Sequence, residues 1–235
     1  MAVSSWLKLF RVVNLPTVPG DVLVGAAATL AWGGCESASA QDMTRIALAA
    51  VSSCFLYLFG LADNDMVGAA TDRGRPIPDG EISMPAARFA RGICLAFGFL
   101  ALLLGGTPLL PSMAVVVAIA AAVIGYNRTK NPLLMGLCRG LNVLLGGVSW
   151  AVAAVALLWT VYVAAVTKYS EGEELDPARR RRVGLLVGGI VYLQLAALIA
   201  FTLVNPALKP LLVAGALLLI LLRVMRRALP KVSAS

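Results

Sequence analysis

Apolar positions fall into seven blocks along the chain, near residues 17–33, 44–62, 92–110, 111–126, 133–166, 183–204 and 207–222. A helix needs about 20 apolar residues to cross the hydrocarbon core of a bilayer, and six of the blocks lie near that length. The fifth is 34 residues long, too long for one crossing and short for two. Gly146-Gly147 sits in its middle, and a glycine costs roughly 1 kcal/mol in a helix interior. A break there predicts eight crossings, the fifth and sixth of about 17 residues each, at the lower end of the workable range.

Charge chooses between the crossing counts. With eight, one side of the membrane holds Lys8, Arg11, Arg73, Arg75, Arg88, Arg91, Arg128, Lys130, Arg139, Lys168, Arg179 to Arg182, Arg223, Arg226, Arg227 and Lys231, which is 18 of the 20 positive charges. Arg45 and Lys209 fall on the other side. Reading the fifth block as one helix weakens this bias. Lys and Arg concentrate in cytoplasmic loops, so both termini are expected in the cytoplasm, in a multi-pass protein of the cell (inner) membrane. No cleavable signal peptide is expected, because Pro16, Pro19 and Asp21 interrupt the first apolar block.

Composition agrees. The chain has 235 residues, 60% hydrophobic and 14% charged, where a soluble domain carries about 25% charged residues. The net charge of +8 follows from the positive-inside rule, so no nucleic-acid partner is expected. Cys35, Cys54, Cys94 and Cys138 are scattered and mark neither a disulfide framework nor a metal site. There is no histidine. Chemistry must therefore run on carboxylates, amides, Tyr, Lys and Arg.

Those residues gather in the inner loops, DNDMVGAATDRGRPIPDGEIS, YNRTKNP and TKYSEGEELDPARRRR, while the outer segments GGTPLLPS, Gly146-Gly147 and NPALKP are nearly blank. Charged cytoplasmic loops are ordinary and account for Arg179–Arg182. Asp63, Asn64 and Asp65 fit that account poorly, since they close an apolar helix where a buried charge costs roughly 2.5–3.5 kcal/mol. Asp65 and Asp72 are seven apart, so two helical turns would align them. Paired carboxylates without histidine suit Mg²⁺, a hard cation that shares its shell with phosphates. Arg73 and Arg75 offer planar forks for phosphate oxygens. The cluster reads either as a magnesium-diphosphate site or as a solvated helix end. Arg139, three residues before Asn142 on one helical face, is either functional or snorkels to the interface.

At these residues the chain resembles the UbiA superfamily of intramembrane prenyltransferases, whose motif Asn-Asp-x-x-Asp-x-x-x-Asp follows the second helix. Asn64, Asp65 and Asp72 match three of its four positions, and Arg75-Pro76-Ile77-Pro78-Asp79-Gly80-Glu81-Ile82-Ser83 resembles the tail that follows it. Arg11-Val-Val-Asn14-Leu-Pro-Thr looks like the family's opening helix, and Met135-Gly-Leu-Cys-Arg-Gly-Leu-Asn142-Val-Leu-Leu-Gly like its EboC-like branch. The likeness runs from residue 10 to about residue 175.

The resemblance implies a single all-α transmembrane bundle around a central cavity. It implies transfer of an isoprenyl group from a prenyl diphosphate to an unidentified acceptor, among membrane lipids. Asn64, Asp65 and Asp72 would hold Mg²⁺. Asp65, Asp72 and Lys130 would be the catalytic residues. Asn14, Asn64, Arg75, Tyr126, Arg139, Asn142, Glu171 and Glu173 would line the magnesium-diphosphate site. Four departures stand out. Gly68 replaces the middle Asp, about four residues are missing between Asp72 and Arg75, Glu171 and Glu173 replace an Asp-rich second motif, and eight crossings stand for nine. They point to one Mg²⁺ or altered activity. The rival reading is a degenerate member that binds isoprenoid lipids without turnover. A secondary transporter would require internal repeats, and no clear repeat is present.

Overall fold

The computed structural model describes residues 3–33, 39–106, 109–172 and 176–229. Within them all regular structure is helical. α1 (Val3–Leu9) leads through a 3-10 turn (Val12–Thr17) into α2 (Pro19–Trp32). Then follow α3 (Ala40–Val67), α4 (Met84–Leu104), α5 (Leu109–Thr129), α6 (Pro132–Leu144), α7 (Trp150–Ser170), α8 (Pro177–Val204) and α9 (Lys209–Ala228).

The starts of these helices are written locally. Ser39 and Asp42 form a capping box on α3, and the Ser83 hydroxyl accepts from the Ala86 N–H at the start of α4. Asn131-Pro132 opens α6 and Asp176-Pro177 opens α8, each with the side-chain oxygen accepting from the first turn. Proline after a capping side chain removes an amide that would have no partner in any case.

Seven helical segments among the described residues are long and apolar enough to cross a bilayer, and α6 is a shorter apolar helix beside them. The chain is thus a multi-pass membrane protein. Exposed Leu157, Leu158, Leu185, Leu203 and Leu217 form its lipid-facing surface. α2 is the central pillar. It packs on α3, α6, α7, α8 and α9, and Val22, Val24, Ala26, Ala27 and Ala28 are almost wholly enclosed. Small side chains permit this, since lipid tails supply no hydrophobic drive between helices and close backbone packing must hold them together.

The chain does break at Gly146-Gly147, but unequally. The two halves are 13 and 21 residues, not about 17 each. α6 spans about 20 Å at 1.5 Å per residue, short of the ~30 Å hydrocarbon core. Its last turn tightens, with the Leu145, Gly146 and Gly147 amides donating three residues back. The irregular run from Leu145 to Ser149 then continues along α2, where Gly146 lies against the Val22 carbonyl and Gly147 against Thr29. Non-helical backbone is tolerated at membrane depth when protein covers it. Below the break, Gly136 and Gly140 let α6 sit directly on Thr160, Ala156 and Ala164 of α7.

Candidate functional site

Alternating helix directions bring the α3–α4 and α5–α6 loops to one end of the bundle. α3 ends at Val67, and a 3-10 turn (Gly68–Ala70) follows. The two-turn helical alignment expected for Asp65 and Asp72 is therefore absent, because the helix stops between them. They converge by another route. Arg75 Nη1 lies 2.9 Å from Asp72 Oδ2 and 3.5 Å from Asp65 Oδ1. The loop folds back because Asp72 N–H donates to the Gly68 carbonyl at 2.8 Å. Asp65 is nearly buried; the backbone N–H of Ile77 lies beside its carboxylate, and its Oδ2 makes no well-formed hydrogen bond among the described residues.

Lys130 crosses from the end of α5 and donates from Nζ to Asn64 Oδ1 at 2.6 Å, with its ammonium 5.6 Å from the centre of the Tyr126 ring. Burial and the neighbouring guanidinium of Arg75 hold its pKa below the ordinary lysine value, with Arg11 adding to the effect and Asp72 and Asp63 opposing it. Arg11, at the head of the 3-10 turn, lies within electrostatic reach of Tyr57, Asp65, Tyr126 and Lys130. Arg11 (φ 38) and Lys130 (φ 54) are the non-glycine residues with left-handed backbone among the described residues. Such conformations cost about 1–3 kcal/mol and collect at functional sites. Both carry cations to the polar end of the bundle, Lys130 to Asn64 and Arg11 within electrostatic reach of Asp65.

Asp63 faces elsewhere. Arg91 of α4 pairs with it at 2.7 Å and Asn127 of α5 donates to it at 2.9 Å, tying three helices together. The sequence marked Asp63 as unusual but left its partners out. Arg91 reads there as one more inner-loop charge, and Asn127 as part of a helix end.

Arg139 and Asn142 belong to a second polar centre, deep among α2, α6, α7 and α8. Its focus is Asp21, with 0% exposure. Arg139 Nε lies 2.9 Å from Asp21 Oδ2. Asn142 Nδ2 donates to Oδ2 at 3.1 Å, and Trp159 Nε1 and Gln194 Nε2 donate to Oδ1 at 2.9 and 2.6 Å. Ser53 of α3 donates to Asn142 Oδ1 at 2.6 Å. None of Asp21, Trp159 and Gln194 carries a sequence signal beyond being polar inside an apolar block, which is itself the signal an intramembrane acid gives.

Asn14 sits in the 3-10 turn beside Arg11. Glu171 pairs locally with Lys168 at 2.6 Å and shares no described contact with the Asp65 cluster. Glu173 lies outside the described residues. An apolar groove of about 320 Å³, lined by Leu15, Pro19, Cys54, Phe55 and Leu58 among others, runs between the start of α2 and α3 and begins one residue from Asn14. A cavity of about 480 Å³ lies at the opposite end, bounded by Thr29, Asp42, Arg45 and the 145–148 break.

Three oxygen donors suit a magnesium ion here, the carboxylates of Asp65 and Asp72 and the amide oxygen of Asn64. The loosely held Asp65 Oδ2 fits such an ion. No cluster of three or more acidic, histidine or cysteine side chains converges among the described residues, so the donor set is a sparse one. The space that a side chain at position 68 would enter is filled by the Asp72 carboxylate.

No protein-family model matches the chain, and no curated protein does. Its backbone does match solved membrane proteins. One is digeranylgeranylglyceryl phosphate synthase, with a TM-score of 0.57 and 15% identity over 98% of this chain and 96% of that one. Another is a UbiA homolog from Archaeoglobus fulgidus, with a TM-score of 0.58 and 16% identity over 97% of this chain and 87% of that one. That homolog bound to DMAPP and Mg²⁺ matches with the same TM-score. The fold is UbiA-like. The matches cover nearly the whole chain, the short α6 and the irregular run after it included. Within that bundle both polar centres draw on the start of α2, which carries Asp21 and follows the turn holding Arg11 and Asn14.

Proposed function

We propose that the protein transfers an isoprenyl group from a prenyl diphosphate to an acceptor, with Mg²⁺, at the end of the bundle that carries the Asp65 cluster. The observation that carries the reading is the convergence of Asp65 and Asp72 on Arg75, with Asn64 held by Lys130 beside them, at one polar end of a UbiA-like bundle. Asn64, Asp65 and Asp72 would hold the ion, and Mg²⁺ bound there would offset the charge of the departing diphosphate. Lys130, Arg75 and Arg11 would hold the diphosphate oxygens. The C1–O bond breaks with its electron pair leaving on diphosphate, C1 bonds to the acceptor nucleophile, and the acceptor loses a proton. The apolar groove beside Asn14 would receive the chain, each buried CH₂ contributing about 0.8 kcal/mol. We place this end in the cytoplasm from the 18-to-2 charge split, and the chain in the EboC-like branch from the 135–146 stretch.

One observation favours a second reading, isoprenoid-lipid binding without turnover. Arg75 already pairs with both carboxylates, and Gly68 supplies no third. The purified protein in lipid bilayers, given labelled prenyl diphosphates of several lengths, separates the two. Magnesium-dependent release of diphosphate with a labelled lipid product is the expected result. Binding without release supports the second reading, and neither binding nor release overturns both. Reporter fusions at Pro111 and after Arg182 should report the outer and the cytoplasmic side respectively; same-side signals would overturn the eight-crossing topology, and exchanged sides would reverse the orientation.

A further inference from the structure

The Asp21 centre holds more than itself. The Thr17 carbonyl accepts from Arg139 Nη2 at 3.1 Å and from Gln194 Nε2 at 2.9 Å, and the Val18 carbonyl accepts from Asn142 Nδ2 at 3.0 Å. Three side chains that converge on Asp21 thus also grip the backbone at the end of the 3-10 turn. From there hydrogen bonds run up the turn. The Thr17 hydroxyl donates to the Asn14 carbonyl at 2.8 Å, and the Asn14 amide donates to the Arg11 carbonyl at 2.8 Å. The chain of contacts leads from a fully enclosed acid to Arg11, the left-handed residue that lies within electrostatic reach of Asp65 and Lys130.

An intramembrane acid gripped by donors from three neighbouring helices is costly unless it does something. A turn carrying a left-handed arginine persists only when its surroundings over-determine it. Each observation supplies what the other needs. We infer that Asp21, acting through Gln194, Arg139 and Asn142, is a positioning residue that fixes the Arg11–Asn14 turn at the mouth of the site. The part of this inference that concerns the diphosphate rests on the function proposed above.

Gln194 gives the cleanest test, because it lies outside the Asp65 cluster and bridges Asp21 to Thr17. Gln194→Leu keeps the volume and removes both bonds. Gly20→Ala reaches the same contact from the other side, since a side chain at position 20 would enter the space of the Gln194 amide, while alanine favours the helix itself. Amide exchange of the full-length protein in bilayers should quicken by about tenfold across residues 12–18 in both variants, with α4 and α5 unchanged, as for a local opening. The KM for prenyl diphosphate and the dissociation constant for magnesium pyrophosphate should both rise by about tenfold while kcat changes little, the signature of binding lost equally from ground state and transition state. Unchanged exchange in residues 12–18 overturns the clamp. Quickened exchange with unchanged pyrophosphate affinity overturns its positioning role. If the unsubstituted protein neither binds pyrophosphate nor turns over, the proposed function fails, and the exchange measurement alone still decides whether Asp21 holds the turn.

Discussion

Two aspartates on adjacent helices meet opposite surroundings. Asp21 is enclosed by a guanidinium, two amides and an indole, and both its oxygens are engaged. Asp65 is nearly as buried, yet it is held only by Arg75 at the long distance of 3.5 Å and by the backbone N–H of Ile77, and its Oδ2 makes no well-formed hydrogen bond among the described residues. A buried charge whose every lone pair is met belongs to the architecture. A buried charge left half-met is held open for something else. The difference separates what holds this protein together from what it is equipped to bind, though both acids sit in apolar sequence and look alike there.

The sharpest break between them should appear in stability. Asp21→Asn leaves Arg139 deep in the bundle without its counter-charge, and breaking a buried pair from one side costs about 3–5 kcal/mol. Its unfolding midpoint in denaturing detergent should drop accordingly. Asp65→Ala should move that midpoint by about 1 kcal/mol or less, since it deletes a half-satisfied group. Equal losses would erase the distinction.

Turnover should reverse the order. Asp65→Ala and Asp72→Ala should each lower magnesium-dependent prenyl transfer by about 10²-fold or more, the scale of removing one electrostatic group from a transition state, at normal expression. Full activity in both would dismiss the metal assignment. Next in size is a pH effect. The depressed pKa of Lys130 means its charge is lost at a lower pH than an ordinary lysine near 10.5. Diphosphate affinity should weaken as pH rises through that depressed value, and Lys130→Arg, which stays charged, should remove the alkaline limb. For folding the sign is opposite. A cation disfavoured in the folded state makes stability rise with pH up to the unfolded lysine value. The smallest effect belongs to Gly68→Asp. Its side chain must displace the Asp72 carboxylate, which can swing, and magnesium should then bind about tenfold tighter, or ~1.4 kcal/mol. Unchanged affinity would show that one carboxylate simply replaced the other.

The helical bundle was legible because apolar length and the charge split are properties of sequence alone. The break at Gly146-Gly147 was legible for the same reason, but its inequality was not. The short α6 depends on α2 covering the backbone after Leu144, a contact about 120 residues away in sequence. The Asp65 cluster was half legible. The residues Asn64, Asp65, Asp72, Arg75 and Lys130 do come together, but through a loop reversal over Gly68 rather than through helical spacing. The family resemblance assigns Arg139 and Asn142 to the magnesium-diphosphate site. Their donors instead meet Asp21, whose importance shows only once four helices are assembled around it.

The shortness of α6 has a consequence for how the protein is made. Its 13 residues include Arg139, and an arginine at a helix centre costs roughly 2.5–3.5 kcal/mol on insertion. Such a segment gains too little from the lipid to enter alone as it leaves the ribosome. Asp21, by contrast, has been synthesised long before. α6 must therefore enter the bilayer together with α7, as a hairpin, and its arginine finds its counter-charge on a helix already waiting there. The order of synthesis, acid first and base later, is built into the positions of two residues 118 apart.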